Sequence, residues 1–292
     1  MAAKIEDYAG KVTVSDGAWG TELDKLGCPP GFCRESWNVS NPECVAKVAF
    51  SYVEAGAQII LTNTFGANRF VLSGHGFEDQ VAAFNREGAR ISKQAAGDRA
   101  AVFGSIGPSG KMVMMSEVQE DELFEAFGHQ AAALAEGGAD ALVVETMTEL
   151  AEARVAVRAA KTTGLLVVAC MTYDSGKDRT CTMMGVTPQQ AVEGLIEAGA
   201  DMVGCNCGIG IDNYVKVTAL LREATDRPIW VKANAGLPEI EEGKVVYRMK
   251  PEEYGEKTLE LIRAGANIVG GCCGTSPVFI AAIRKAVAGL KS

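Results

Sequence analysis

Eight short apolar runs, helical stretches between them and a length of 292 residues predict a single (β/α)8 barrel, the TIM-type α/β fold. The runs are KVTVSDG (11–17), IILTNTFG (59–66), AVFGSIGP (101–108), ALVVETM (141–147), LLVVACMTY (165–173), MVGCNCG (202–208), PIWVKANAG (228–236) and NIVGGCCG (267–274). Each is short enough for a strand, rich in β-branched residues, and apolar enough to be covered on both faces, as parallel strands are. A doubly wound open sheet is the competing architecture. No GxGxxG follows the first run and no break divides the chain into two lobes, so the reading is one barrel over residues 1–292.

The segments between the runs carry helix punctuation. Asn41-Pro42, Thr187-Pro188 and Ser276-Pro277 each offer a capping side chain followed by proline, whose missing N–H costs nothing in a first turn. The phrases EAGAQ, EGGAD, EAGAD and RAGAN put Gly56, Gly138, Gly199 and Gly265 where a helix ends in a left-handed residue. All four precede even-numbered runs, a pattern that either an old duplication or common loop chemistry produces. The segment GCPPGFCRESWNVSN (27–41) carries no helical pattern and is predicted to be a loop over the barrel mouth.

Composition narrows the partners. At 48% hydrophobic and 22% charged the chain has the makeup of a globular protein with a large core. A net charge of -9 and a pI near 5.0 argue against nucleic acid, whose phosphates require clustered Lys and Arg. The first residues, MAAKIEDYAGKV, have no continuous apolar core and do not read as a secretory signal. No apolar run approaches the roughly 18 to 20 residues needed to span a bilayer. A cytoplasmic protein is the expectation. In that reducing setting the nine cysteines point to packing, metal binding or catalysis, not to a disulfide framework.

Polar and special residues crowd the C-terminal ends of the runs: Asp16 and Gly17, Thr62 and Asn63, Ser105, Glu145, Asp174, Asn206 and Cys207, Asn234, then Cys272 and Cys273. In a barrel these ends converge on one face, where the βα loops build the active site. Cys207 and the Cys272–Cys273 pair lie 65 residues apart, too far for a local zinc finger. They nevertheless end the sixth and eighth strands, which a closed barrel brings within several ångströms. Adjacent cysteines on a regular strand face opposite ways, so both reach one ion only if the backbone leaves β geometry. Gly270, Gly271 and Gly274 are predicted to allow that. The competing reading is that these are small buried hydrophobes beside packing glycines.

The remaining cysteines read differently. Cys205 would lie about 6.6 Å deeper along the sixth strand, whereas thiolates on one zinc sit roughly 4 Å apart, so it is assigned to the core. Cys170 in mid-strand and Cys44 on the helix after Pro42 are assigned to packing; Cys28, Cys33 and Cys181 are predicted in loops. His75 and His129 fall on a loop and a helix surface, with no company suggesting a ligand or base.

Three thiolates and an open fourth position describe a catalytic zinc site. Zn²⁺ with three thiolates carries about -1 net charge, a poor activator of water but a good platform for holding a substrate thiol as thiolate. One other reading of the residues stays open: a vicinal-dithiol redox enzyme.

The motifs DGAWGTEL (16–23), TNTFGANR (62–69), GSIGPSG (104–110), ETM (145–147), GCNCG (204–208), NAGLP (234–238) and GGCCGTSP (270–277) resemble, in order and along the whole chain, the homocysteine S-methyltransferase family. Within it, they look most like the homocysteine-binding barrel of cobalamin-dependent methionine synthase. The resemblance implies a zinc-dependent barrel in which Cys207, Cys272 and Cys273 hold the metal and the homocysteine thiolate takes the fourth position. It implies Asn234 as an oxygen ligand in the absence of substrate, with a loop-capping role as the alternative. Asp16 and Glu145 match the family's ammonium-binding carboxylates, and backbone N–H groups around Gly17 and Ala18 are candidates for the substrate carboxylate. Asn63, Asn68 and Arg69 are candidates to shape the pocket, Arg69 equally for a structural ion pair. The implied reaction is in-line transfer of a methyl group to the thiolate, giving methionine, with the thiol proton lost on metal binding. The implied donors are a corrinoid on a separate protein, S-methylmethionine, or a betaine or other sulfonium; the alternatives are another thiol acceptor, and a non-catalytic thiol- or metal-binding subunit of a corrinoid methyl-transfer complex.

Overall fold

A computed structural model describes residues 3–241 and 244–290. Ten strands and eleven helices are present among them. The strands are β1 (Thr13–Val14), β2 (Ile59–Leu61), β3 (Ala101–Ile106), β4 (Ala141–Met147), β5 (Leu166–Met171), β6 (Met202–Cys207), β7 (Ile229–Ala233), β8 (Glu239–Glu241), β9 (Lys244–Val246) and β10 (Ile268–Gly271). All but β8 and β9 form one parallel sheet in the order β1-β10-β7-β6-β5-β4-β3-β2. Its two edges meet through a Ser15–Ile59 bridge, so the sheet wraps into a barrel. Every predicted run contains its strand.

Closure at that seam is short, and side chains complete it. Gln58 N–H donates to the Val14 carbonyl at 2.7 Å, and Val14 N–H to Gln58 Oε1 at 3.1 Å. Higher up, Leu61 N–H donates to Asp16 Oδ2 at 2.7 Å, where no strand partner is available. The closure thus draws Asp16, a predicted site residue, into the wall.

The helices are α1 (Trp19–Lys25), α2 (Trp37–Ser40), α3 (Pro42–Glu54), α4 (Arg69–Ser73), α5 (Val81–Ala96), α6 (Glu120–Glu136), α7 (Leu150–Lys161), α8 (Pro188–Glu197), α9 (Ile211–Ala224), α10 (Pro251–Arg263) and α11 (Pro277–Ala288). The three expected Pro starts open α3, α8 and α11; Thr187 caps α8 with its side chain, whereas Asn41 and Ser276 make no such bond. Gly56, Gly138, Gly199 and Gly265 all have φ between +91° and +112°, as expected of helix-ending residues.

Two elements depart from the sequence reading. Residues 27–41 hold a 3-10 turn and the short helix α2, because Trp37 and Asn38 bury against the neighbouring elements. After β7, Glu239–Glu241 and Lys244–Val246 pair antiparallel as β8 and β9, whose local charge-rich sequence carries no apolar run.

The barrel interior is layered. Ile59, Phe103, Val143, Val168, Met202, Trp230 and Ile268 fill its lower part, and Tyr8 plugs the bottom edge-on to Phe103 at 5.8 Å. Phe103 and Trp230 stack at 5.7 Å across the middle. Two residues further along their strands the inward positions become Ser105, Glu145 and Lys232, because strand side chains repeat their face with period two.

Candidate active site

The three predicted sulfurs converge. The Sγ atoms of Cys207, Cys272 and Cys273 lie within 4.8 Å of one another, and no other such group is found among the described residues. Cys207 ends β6 with φ +66° and is followed by Gly208 at +69°. This left-handed pair turns the strand out of its ladder. Cys272 and Cys273 follow β10 in a tight turn in which Thr275 N–H donates to the Cys272 carbonyl at 3.1 Å. Cys272 N–H donates to Ala233 O at 2.8 Å, and Ala235 N–H to Cys273 O at 2.9 Å, so the turn is fastened to the end of β7.

The glycines beside the pair have roles other than the predicted one. Only Gly274 has the left-handed φ, +82°, and Tyr247 packs over it. A Cβ on Gly270 would collide with Ser15 Oγ, and one on Gly271 with the Thr275 side chain. Close packing, not backbone freedom, therefore accounts for those two. Thr275 then links both halves of the site: its hydroxyl donates to Cys272 O at 2.7 Å and accepts from Ala18 N at 3.2 Å.

Asn234 bridges the two sulfur-bearing loops. Its Oδ1 accepts from Cys273 N at 3.0 Å; its Nδ2 donates to Gly208 O at 2.6 Å and approaches Cys207 Sγ at 3.6 Å. The sulfurs share protons. Hydrogen bonds from Cys272 and then Cys273 hold the Cys207 thiol low, at about 3, while the same sharing pushes Cys272 well up and Cys273 to about 11.

A cavity of about 350 Å³ opens beside the sulfurs, lined among others by Gly17, Ala18, Ser105, Glu145, Lys232 and Arg34. Glu145 is held on both oxygens, by Ser105 Oγ at 2.5 Å and Asn206 Nδ2 at 3.2 Å. Burial pushes its carboxyl above the ordinary carboxylate value, against the opposing pull of Lys232 and the Ser105 hydrogen bond. Asp16 is fully buried behind the cavity wall. Its Oδ1 faces Lys232 Nζ at 2.5 Å, and its Oδ2 accepts from Leu61 N and Trp19 Nε1, both at 2.7 Å.

Lys232 escaped the sequence reading, although a lysine inside PIWVKANAG, a run apolar enough to be buried on both faces, was the available signal. Its side chain is 3% exposed. Burial works against the ammonium, but Asp16 and Glu145 outweigh it and its pKa lies above the ordinary lysine value.

Other candidates fall outside the cavity or at its edge. Asn63 lines it, while its amide donates to Arg34 O at 2.8 Å and Asn38 Oδ1 at 3.0 Å. Asn68 caps α4 through Phe70 and Val71 N–H, and Arg69 pairs with Glu125 at 2.9 Å. Cys205 and Cys170 are buried on strands, and His75 and His129 are exposed. The predicted loop does reach the mouth: Arg34 and Glu35 line the cavity, and Glu35 is pinned by Gly66 N–H at 2.7 Å.

The profile described as homocysteine S-methyltransferase matches residues 13–287. The chain belongs to this family. Methionine synthase of Mycobacterium tuberculosis is 30% identical over 304 residues, covering 98% of this chain, and that of Mycobacterium leprae is 30% identical over 301 residues, covering 97%. The chain spans only 25% of the length of these curated relatives. Among solved structures, the metallated form of the homocysteine methyltransferase MmuM from Escherichia coli superposes with a TM-score of 0.78 at 22% identity, over 94% of this chain and 96% of that one. The carboxyl transferase domain of Rhizobium etli pyruvate carboxylase gives a TM-score of 0.52 at 15% identity, over 97% and 49%. These two likenesses speak for the barrel fold. For a homocysteine S-methyltransferase family member, three soft sulfurs gathered at a cavity fit a thiophilic ion such as zinc, which takes thiolates at about 2.3 Å in tetrahedral sites.

Proposed function

We propose that this protein transfers a methyl group to the sulfur of homocysteine, giving methionine, with zinc held by Cys207, Cys272 and Cys273. The observation that carries this reading is the convergence of the three Sγ atoms within 4.8 Å at a cavity, in a chain of this family. Zinc bound there would keep the acceptor sulfur deprotonated at neutral pH. The chain's own residues do the rest. Asn234 holds the two sulfur loops in register, a supporting role that in metal sites commonly governs affinity. Glu145, fixed by Ser105 and Asn206, offers its remaining lone pairs to the substrate ammonium. An acceptor sulfur fixed in the cavity would meet the donor methyl in line, which lowers the entropic part of the barrier.

For the donor, a methylated corrinoid on a protein partner is the better-supported choice. Phe65 on the cavity lining, Phe32, Met114, Met115 and Leu237 in the segments that follow strand ends, and Ile240 on β8 are between 42% and 79% exposed. Exposed apolar side chains after the strand ends suit a macromolecular carrier more than a small solute. The test is metal analysis of the wild type and Cys272→Ala, coupled to a methionine-formation assay with methylcobalamin, S-methylmethionine and glycine betaine as donors. Expected are one zinc per wild-type chain, none retained by Cys272→Ala, and turnover with methylcobalamin. Full activity in zinc-free protein would sink the metal reading; turnover with S-methylmethionine alone would replace the corrinoid donor.

A further inference from the structure

The cavity's charged groups are unequally available. Asp16 is engaged on both oxygens by Lys232, Leu61 N–H and Trp19 Nε1 and lines no part of the cavity surface. Glu145 reaches the cavity but already accepts one hydrogen bond on each oxygen. Lys232 also reaches it, and an ammonium has three N–H donors. One goes to Asp16; no other acceptor for Lys232 is found among the described residues. The cation thus lies with Asp16 behind it and the cavity before it. Arg34, the other cation on the lining, is held by bidentate contact with Asp24 at 2.8 to 3.1 Å.

From this juxtaposition we propose that Lys232 is the anchor for the acceptor's carboxylate, so that the site selects its thiol by the acidic group more than by the ammonium. The proposal rests on the thiol-acceptor reading given above and adds to it the residue that recognises the acceptor. Asp16, on this account, positions Lys232 and does not itself meet the substrate. Lys232 and the three cysteines line the same cavity, so a carboxylate held by the cation leaves the acceptor within the space that the sulfurs share.

Two truncated acceptors separate the charges: 4-mercaptobutanoate keeps the carboxylate without the amine, and 3-aminopropane-1-thiol keeps the amine without the carboxylate. Calorimetric titration of the zinc-loaded protein with each, and with homocysteine, is expected to show the mercaptobutanoate binding about 10- to 100-fold more tightly than the aminothiol, the worth of a hydrogen-bonded charge. Lys232→Met should weaken homocysteine and mercaptobutanoate by a similar factor and leave the aminothiol unchanged. Because the single substitution strands a buried carboxylate, the neutral pair Asp16→Asn with Lys232→Met is measured alongside it and should give the same loss of preference. A wild-type preference for the aminothiol, or an unchanged preference in both variants, would overturn the assignment. Binding of mercaptobutanoate without binding of homocysteine would sink the homocysteine reading and keep the role of Lys232. Binding of homocysteine untouched by either variant would do the reverse.

Discussion

The lower and upper halves of the barrel interior are built by the same strands and obey different rules. On β3, Phe103 gives way to Ser105; on β4, Val143 to Glu145; on β7, Trp230 to Lys232. Each change takes two residues, one repeat of the strand. Below, the space is filled by rings and branched chains that need only shape and volume. Above, buried polar groups call for partners: Lys232 pairs with Asp16, and Ser105 and Asn206 hold Glu145. The lower half holds the strands at a fixed radius; the upper half uses that radius to aim charges.

The largest expected effect separates the two halves cleanly. Trp230→Ala removes the largest fully buried side chain and its stack on Phe103, and should cost about 3 to 5 kcal/mol in denaturant unfolding. The folded fraction should still bind one zinc per chain. Loss of zinc from folded Trp230→Ala would mean that the halves are not separable.

A smaller effect belongs to Asn234→Ala. It leaves Cys273 N–H and Gly208 O without their partners, at a cost of about 1 to 3 kcal/mol, and should lower zinc affinity about 10- to 100-fold through the loosened sulfur loops. Competition against a zinc chelator measures it. An unchanged affinity would show that the loops hold their register without this side chain.

The third difference is one of pH. Glu145 in the folded protein has its pKa raised by burial, so the native state holds that proton more tightly than the unfolded chain does. Stability from this group is therefore fullest below the ordinary carboxylate pKa and declines as pH rises from there through the folded value. Glu145→Gln should flatten that decline in the metal-free protein and weaken homocysteine binding. Unfolding free energies measured across the acid range test the first part, and a steeper slope in the variant would contradict it.

Much of this arrangement was legible in the chain. The strands announced themselves because burial on both faces leaves a continuous apolar run, and the three cysteines because strand ends in a barrel must converge. What a run of letters does not carry is which way a side chain faces and what waits opposite. Lys232 drew no attention as one charge inside an apolar run, because its partner Asp16 is far away in sequence and meets it only where β1 and β7 flank β10 in the folded barrel. Likewise the role of Gly271 depends on Thr275 folding back over it, and α2 depends on the burial of Trp37 and Asn38. The hairpin β8–β9 is exposed at Glu239–Glu241 and so carries no burial pattern to read.

The smallest effect concerns backbone strain in the upper half. Cys207 adopts φ +66°, a conformation that costs a residue with a Cβ about 1 kcal/mol or more and glycine very little. Nothing in the lower half carries such a residue; the strain sits where the strand must turn its sulfur toward Cys272 and Cys273. Cys207→Ala and Cys207→Gly both delete the sulfur, so a comparison between them isolates the backbone. The glycine variant should be more stable than the alanine variant by about 1 kcal/mol, and both should lose zinc. If alanine proves as stable as glycine, the left-handed turn is not under strain, and the site's geometry comes without local cost. If glycine is the more stable, a stabilising substitution exists at this position that the metal-binding role forbids.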